Sequence, residues 1–442
     1  MTKSSEKAQP SKLRAALSEV RKYFQSLNDV KEESSTEHAE VIIGEDGLGE
    51  VHITGVDADN YRRQLELLYN AANKDVKKEI ISIKNIEARF KHVLLRLLAP
   101  SSEELDKSFE VRVSARIKEL EESLTIKPNL FLVFVPVGGL NLGAISFRMG
   151  KVEFRKFDDE QLGKFKATLT KGNNSDEVNE AYLDMFQRII APDVMNKTVG
   201  IVEISAMDAD AARSVALKEL RVSIDAFNFY SDLLPYSHGY AFLPGDAERA
   251  IRTIPVLDKA GLHHSLQSQA LGPLGEVSLE QLVEVNKVRQ LGFEKVDALL
   301  AKERSQLSGI EKRLLAAIQW SGRATVDSRP EEAFLLYAIS LESIILAEAD
   351  KEELLFRLRV RIAHLLGKTL KGRQDIFKDV GEIYRIRSSI VHNGTYEVLE
   401  EDVKVVRKFA KSCIIKILTD STFSSMTKPE ELAKWFNEQI LG

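Results

Sequence analysis

The chain has 442 residues, 44% of them hydrophobic, a length and composition suited to two or three domains with buried cores. A net charge of −5 and a pI near 6.0 argue against a protein that coats nucleic acid non-specifically, so any RNA contact must be local. The single cysteine, in Cys413-Ile414-Ile415, excludes an internal disulfide and reads as a core residue rather than a nucleophile.

Met1 to Lys12 is polar and lacks the apolar centre of a signal peptide, and no long uninterrupted apolar run follows. The expectation is therefore a cytoplasmic protein with no membrane partner. Residues 1–37 read as a flexible tail carrying one short amphipathic helix, with Leu13, Leu17, Val20 and Tyr23-Phe24 at helical spacing. Val41 to Ile53 has the composition of a β-hairpin turning at Asp46-Gly47; its glycines are not followed by the Gly-Lys-Ser/Thr of a phosphate loop. From Asp57 to Leu124 the pattern is helical, carried by Tyr61, Leu65 and Leu68 and then by Ile86, Phe90, Val93 and Leu97.

Leu130–Val137, Ala144–Phe147, Val152–Arg155 and Val199–Ile204 are β-rich runs separated by turn signals such as Met149-Gly150-Lys151. A long helix is expected after Val199–Ile204, reaching Tyr230. Asp208 and Asp210 stand at its start, where an acidic residue serves as a cap more readily than as a metal ligand. Tyr240–Leu243 reads as a further short strand, and His238 and His263-His264 as loop histidines without ligand spacing. Together, 38–275 is expected to form an α+β recognition or regulatory domain.

After the break at Leu271-Gly272-Pro273 the chain stays helical. A connector spans 276–304, and an all-α bundle 305–442, with helices over Ile310–Trp320, Glu331–Glu348, Leu354–Leu366, Asp375–His392 and Asp402–Leu418. Ser321–Pro330 is expected to be a polar loop. Thr427-Lys428-Pro429-Glu430 has capping-box spacing and opens a final helix with Leu432, Trp435-Phe436 and Ile440 on one stripe. The fold class is thus α+β: a mixed N-terminal domain followed by a helical bundle.

The stretch that suggests a specific chemistry is Tyr384-Arg385-Ile386-Arg387-Ser388-Ser389-Ile390-Val391-His392-Asn393-Gly394. Ile376, Val380, Ile383, Ile386, Ile390 and Val391 recur at helical spacing and define an apolar face, with Asn393-Gly394 as its stop. Arg387 falls on that face, so it needs an acidic partner or a phosphate. Glu342, set among Leu335, Ala338, Ile345 and Leu346, is the matching charge on another core face. Their simplest relation is a buried ion pair; in the functional version Glu342 orients an arginine that still reaches a phosphate. His392 lies roughly 140° round an ideal helix from Arg387, so the two meet only if the helix loosens at its end or a second subunit completes the site.

Arg387 and His392, with four residues between them, Tyr384 before them and Asn393-Gly394 after, resemble the signature of HEPN domains, in particular the ApeA-like group of bacterial defence proteins. The resemblance covers the last third of the chain and includes the acidic residue on an early helix, matched by Glu342. Ser388 stands where the family often carries asparagine. The resemblance implies a compact helical bundle and a metal-independent, dimeric ribonuclease with Arg387 and His392 as catalytic residues and Glu342, Tyr384, Ser388 and Asn393 in support. It also implies an RNA substrate and a toxin-like role in antiviral defence, with an unidentified ligand or partner acting on the N-terminal domain.

The chemistry also suits these residue types on its own terms: histidine exchanges a proton near neutral pH and arginine meets the charge growing on a phosphate. Arg357, Arg359 and Arg361, with His364, crowd one helix and form either a local RNA-binding patch or a solvated face. No residue set calls for a metal or a cofactor. Two other classes stay open: a non-catalytic module for assembly or nucleotide binding, and an enzyme seated in the N-terminal domain, for which no motif exists.

Overall fold

The computed structural model describes residues 11–27, 41–45, 49–53, 56–74, 80–98, 100–125, 127–142, 146–169, 176–185, 187–188, 191–233, 240–243, 251–257, 264–270, 277–278, 290–327, 329–346, 354–393 and 397–442. The protein is α+β, as its sequence suggests. Its described residues form two compact units, one drawn from Met1–Val133 and Glu203–Leu217, the other from Phe134–Val202 and Lys218–Gly442. The second unit therefore combines the helices of the C-terminal third with residues 134–202, a division that differs from a boundary near 275.

The first unit contains α1 (Ser11–Ser26), the hairpin β1 (Val41–Glu45) and β2 (Gly49–Ile53), then α2 (Val56–Lys74), α3 (Ile83–Leu98) and α4 (Phe109–Leu124). Pairing from Val41↔Ile53 to Glu45↔Gly49 confirms the hairpin, and its turn at Asp46-Gly47 lies outside the described residues. Helix α1 is not a loose tail element: Leu13, Leu17, Val20 and Phe24 are all buried, and Phe24 stacks on Phe90 at 5.5 Å between ring centroids. Tyr61 closes on the same Phe90 ring at 5.3 Å, so three helices share one aromatic centre.

Short strands follow α4 in the chain: β3 (Asn129–Pro136), β4 (Leu140–Asn141), β5 (Phe147–Met149), β6 (Val152–Lys156) and β7 (Thr198–Ala206), of which four form a sheet in the order β3-β7-β6-β5. Gly150, at φ +61°, makes the β5–β6 turn that the sequence signals. Helices α5 (Asp159–Leu169), α6 (Asp176–Met185) and α7 (Ala191–Val194) lie between β6 and β7, where no helix was expected. Next comes α8 (Ala209–Ser231). Asp208 caps it: its Oδ1 accepts from the Ala211 amide at 2.9 Å and its Oδ2 from the Ser82 amide at 2.8 Å.

Strands β8 (Ile251–Leu257) and β9 (His264–Ala270) make an antiparallel hairpin, while β10 (Val277–Ser278) pairs in parallel with β4. His264 therefore opens a strand rather than sitting in a loop, and His238 and His263 lie outside the described residues. Of Tyr240–Leu243, Phe242 forms a single bridge to Gly138.

The helical remainder comprises α9 (Phe293–Ala301), α10 (Gly309–Val326), α11 (Pro330–Ile345), α12 (Leu354–Leu366), α13 (Leu370–Asn393), α14 (Glu400–Thr419), α15 (Ser421–Ser424) and α16 (Pro429–Leu441). Helix α10 packs on α11, α11 on α14 and α13, and α12 on α13. The expected loop over Ser321–Pro330 is instead the last turns of α10, and only 327–329 connect to α11. The segment reads as a loop because it is polar and includes Gly322, a poor helix former. Here its small size serves packing: a Cβ on Gly322 would meet the Asp225 carbonyl oxygen at 1.9 Å.

Helix α16 docks on α12 of its own chain through Leu432 and Phe436. Its capping carboxylate is Glu431, one residue later than the spacing suggests, accepting from the Thr427 and Lys428 amides at 2.7 and 2.8 Å. Cys413 is fully buried, and burial pushes its thiol well above the ordinary range, consistent with a core role. No helix among the described residues is long and apolar enough to cross a membrane.

Candidate functional site

Helix α13 is long because nothing interrupts its 3.6-residue pattern. Val380, Ile383 and Ile386 are buried at spacings of three, and Ile376 and Ile390 are half-buried at the flanks. Val391, expected on the same face, is 52% exposed. The helix continues through Asn393, while Gly394 lies outside the described residues.

Arg387 projects toward α11, and its Nε lies 3.3 Å from Oε1 of Glu342. The ion pair read from two separate wheels therefore exists. It is not sealed, because the two side chains keep 27% and 25% of their surface. Burial raises the Glu342 carboxyl above the ordinary range, and the neighbouring guanidinium partly opposes that rise. Tyr384, one turn before Arg387, sets its ring 5.9 Å from the guanidinium carbon. Ser388 is half-buried beside it.

His392 is exposed in the last turn of α13, and among the described residues its side chain makes no hydrogen bond or ion pair. The helix does not unwind between Arg387 and His392, so the angular offset of about 140° persists and the two side chains stay apart within one copy. What one chain presents is an oriented, partly accessible arginine and, on another side of the same helix end, an accessible histidine.

The three arginines of α12 separate in role. Arg357 is exposed. Arg359 lies over the Phe377 ring at 3.7 Å and donates from Nε to the Phe377 carbonyl at 2.9 Å. Arg361 is only 3% exposed and donates to the Ile345 carbonyl at 3.1 Å. Arg361 thus belongs to the core and corrects the picture of a shared basic patch: Arg359, two positions from each of the others, faces a different way, and Arg361, one turn beyond Arg357, is covered where Arg357 is not. His364 is half-buried, and burial, followed by the charge of Arg373, lowers its pKa.

Sequence reasoning missed a second charged cluster. Asp232, just past α8, pairs through one oxygen with Arg407 and through the other with Lys411, both on α14. Lys411 is 4% exposed and also donates to the Phe229 carbonyl at 3.1 Å. Burial pushes its pKa down to about 8, against the pull of Asp232. The available signal was a lysine set between Phe409-Ala410 and Cys413-Ile414 on an otherwise apolar face.

Comparisons with family models, with curated proteins and with solved structures found no match to this chain.

Proposed function

We propose that this chain is a metal-independent endoribonuclease of the HEPN type, a cytoplasmic, toxin-like effector of bacterial antiviral defence that acts as a homodimer on RNA. The observation that carries the reading is the Arg387–Glu342 pair. The arginine is oriented by a carboxylate on a neighbouring helix yet keeps 27% of its side-chain surface, on the same helix that ends at an exposed His392. Because Arg387 and His392 diverge within one copy, two copies supply the site between them.

In this mechanism one His392 takes the proton of the ribose 2′-hydroxyl, and the 2′-oxygen forms a bond to phosphorus. The bond from phosphorus to the 5′-oxygen breaks, and the leaving oxygen takes a proton from the His392 of the second copy. Arg387 meets the charge on the non-bridging oxygens, and Glu342 holds its fork in place. The products carry 2′,3′-cyclic phosphate and 5′-hydroxyl ends.

The test is cleavage of total cellular RNA by the purified protein in the presence of a chelator. His392→Ala should lower the rate by about 10²- to 10⁴-fold. Products with 3′-hydroxyl ends, or cleavage that stops when divalent metal is removed, would overturn the mechanism.

The same ion pair favours a second reading, a non-catalytic HEPN module for dimerisation or for nucleotide or RNA binding. There Arg387 serves α11 and α13 alone, and an Arg387 variant loses stability with no activity to lose.

A further inference from the structure

Away from Arg387 and His392, a cavity of about 390 Å³ opens in the second unit where α8, the end of α9 and α10 come together. Its apolar lining is Val222, Leu299, Leu300, Leu307 and Leu315. Helix α9 is fixed there by the β5–β6 turn: the Gly150 amide donates to Asp297 at 2.6 Å, and a Cβ on Gly150 would meet Leu300 at 2.5 Å.

The charges around the cavity are not balanced. Glu219 lines it, but Lys151 holds that carboxylate at 3.5 Å and the nearby Glu303 at 3.2 Å. Lys302 lines it and is held by Glu311 at 2.6 Å. Two lining cations are left, Arg304 and Lys312, both exposed, and among the described residues neither side chain makes an ion pair or hydrogen bond. The carboxylates at this site are occupied, and the cations without partners face the cavity.

We infer that this cavity binds a nucleoside mono- or diphosphate, with the phosphate on Arg304 and Lys312 and the base against the leucine lining. The size suits an occupant larger than a bare phosphate: the volume of about 390 Å³ falls within the range of about 300–1,000 Å³ typical of small-molecule sites. Two cations at one side match a group carrying more than one negative charge, and an arginine fork fits phosphate oxygens in pairs. Gln319, also on the lining, offers a donor and an acceptor suited to the edge of a base, which a hydrocarbon chain would leave unused. The inference does not depend on the ribonuclease reading, since Arg304, Lys312 and Gln319 lie on other elements than Arg387 and His392.

Calorimetric titration of the full-length protein with AMP, ADP, pyrophosphate and laurate tests it. ADP or AMP should bind at least about tenfold more tightly than pyrophosphate, and Arg304→Ala and Lys312→Ala should each weaken that binding by about tenfold or more. Both side chains are exposed, so the substitutions leave the fold intact, as unfolding curves would verify. Ala316→Trp, which fills the cavity from its lining, should abolish nucleotide binding. The inference is overturned if neither nucleotide binds, if pyrophosphate binds equally well, if laurate binds and the nucleotides do not, or if binding survives Arg304→Ala and Lys312→Ala.

Discussion

Asp232 and Glu342 are both carboxylates of the second unit and both face an arginine from another helix, yet their surroundings differ. The Asp232 side chain is 4% exposed and divides its two oxygens between Lys411, buried as deeply, and Arg407, which stays 40% exposed. Glu342 meets one cation through one oxygen at 3.3 Å, and a quarter of each side chain remains in solvent. The Asp232–Lys411 pair is closed to solvent and has nothing left to offer a ligand, so its role is to hold α14 to the end of α8, with the exposed Arg407 at its rim. A half-open pair holds its arginine in position while leaving donors free. Arg407 and Arg387 both keep access to solvent, since five guanidinium N–H groups cannot all be satisfied by one carboxylate oxygen; the contrast lies in the carboxylates and in the buried Lys411.

The largest effect is expected at the sealed cluster. Asp232→Ala strands a buried ammonium, and breaking such a pair costs about 3–5 kcal/mol, readable as a shift in the denaturant midpoint. A change near zero would show that water reaches Lys411 and would remove the contrast between the two regions. The pH dependence of the same cluster gives the next effect. The Lys411 pKa lies at about 8 in the folded chain against 10.5 when unfolded, so between these values the unfolded state binds more protons. Its contribution therefore makes stability rise with pH over that window, by up to about 1.4 kcal/mol per pH unit. Subtracting the stability curve of Lys411→Met from that of the wild type isolates this slope, and a flat difference curve would place Lys411 in a wetter setting.

Much of this contrast was legible in the sequence at the candidate site and little of it at the sealed cluster. Arg387 and Glu342 each interrupt an apolar stripe of a long, strongly periodic helix, so two independent wheels pointed to one pair. Lys411 interrupts its stripe in the same way, but its partner Asp232 sits past the end of α8, beyond any periodic pattern, and the pairing spans 179 positions. Periodicity shows that a charge is buried, not what neutralises it from a distance. Ser321–Pro330 misled for a related reason: polar composition marks loops and the ends of helices alike, and only the Asp225 backbone pressed against Gly322 shows a packed helix there. Val391 fell on the apolar face by angle, yet it is exposed because no neighbour of the same chain covers that end of α13 among the described residues.

Arg387→Ala sharpens the comparison from the half-open side. The Glu342 carboxyl is raised by burial, and the guanidinium opposes that rise, so removing Arg387 raises the carboxyl further. A group whose folded pKa is raised contributes stability below its unfolded pKa and loses it as pH rises through the folded value. The cost of Arg387→Ala is therefore greatest near neutral pH, where Glu342 must stay charged without its partner or take up a proton. It shrinks in acid, where a protonated Glu342 no longer needs the cation. Because both groups keep access to water, that cost is about 1–2 kcal/mol at pH 7, below the loss expected for Asp232→Ala. The functional reading further requires RNA cleavage to vanish in Arg387→Ala at a temperature where the protein remains folded. A stability loss equal to that of Asp232→Ala, with no cleavage in the wild type to lose, would place both pairs in the same structural class and leave His392 as an exposed helix-end residue.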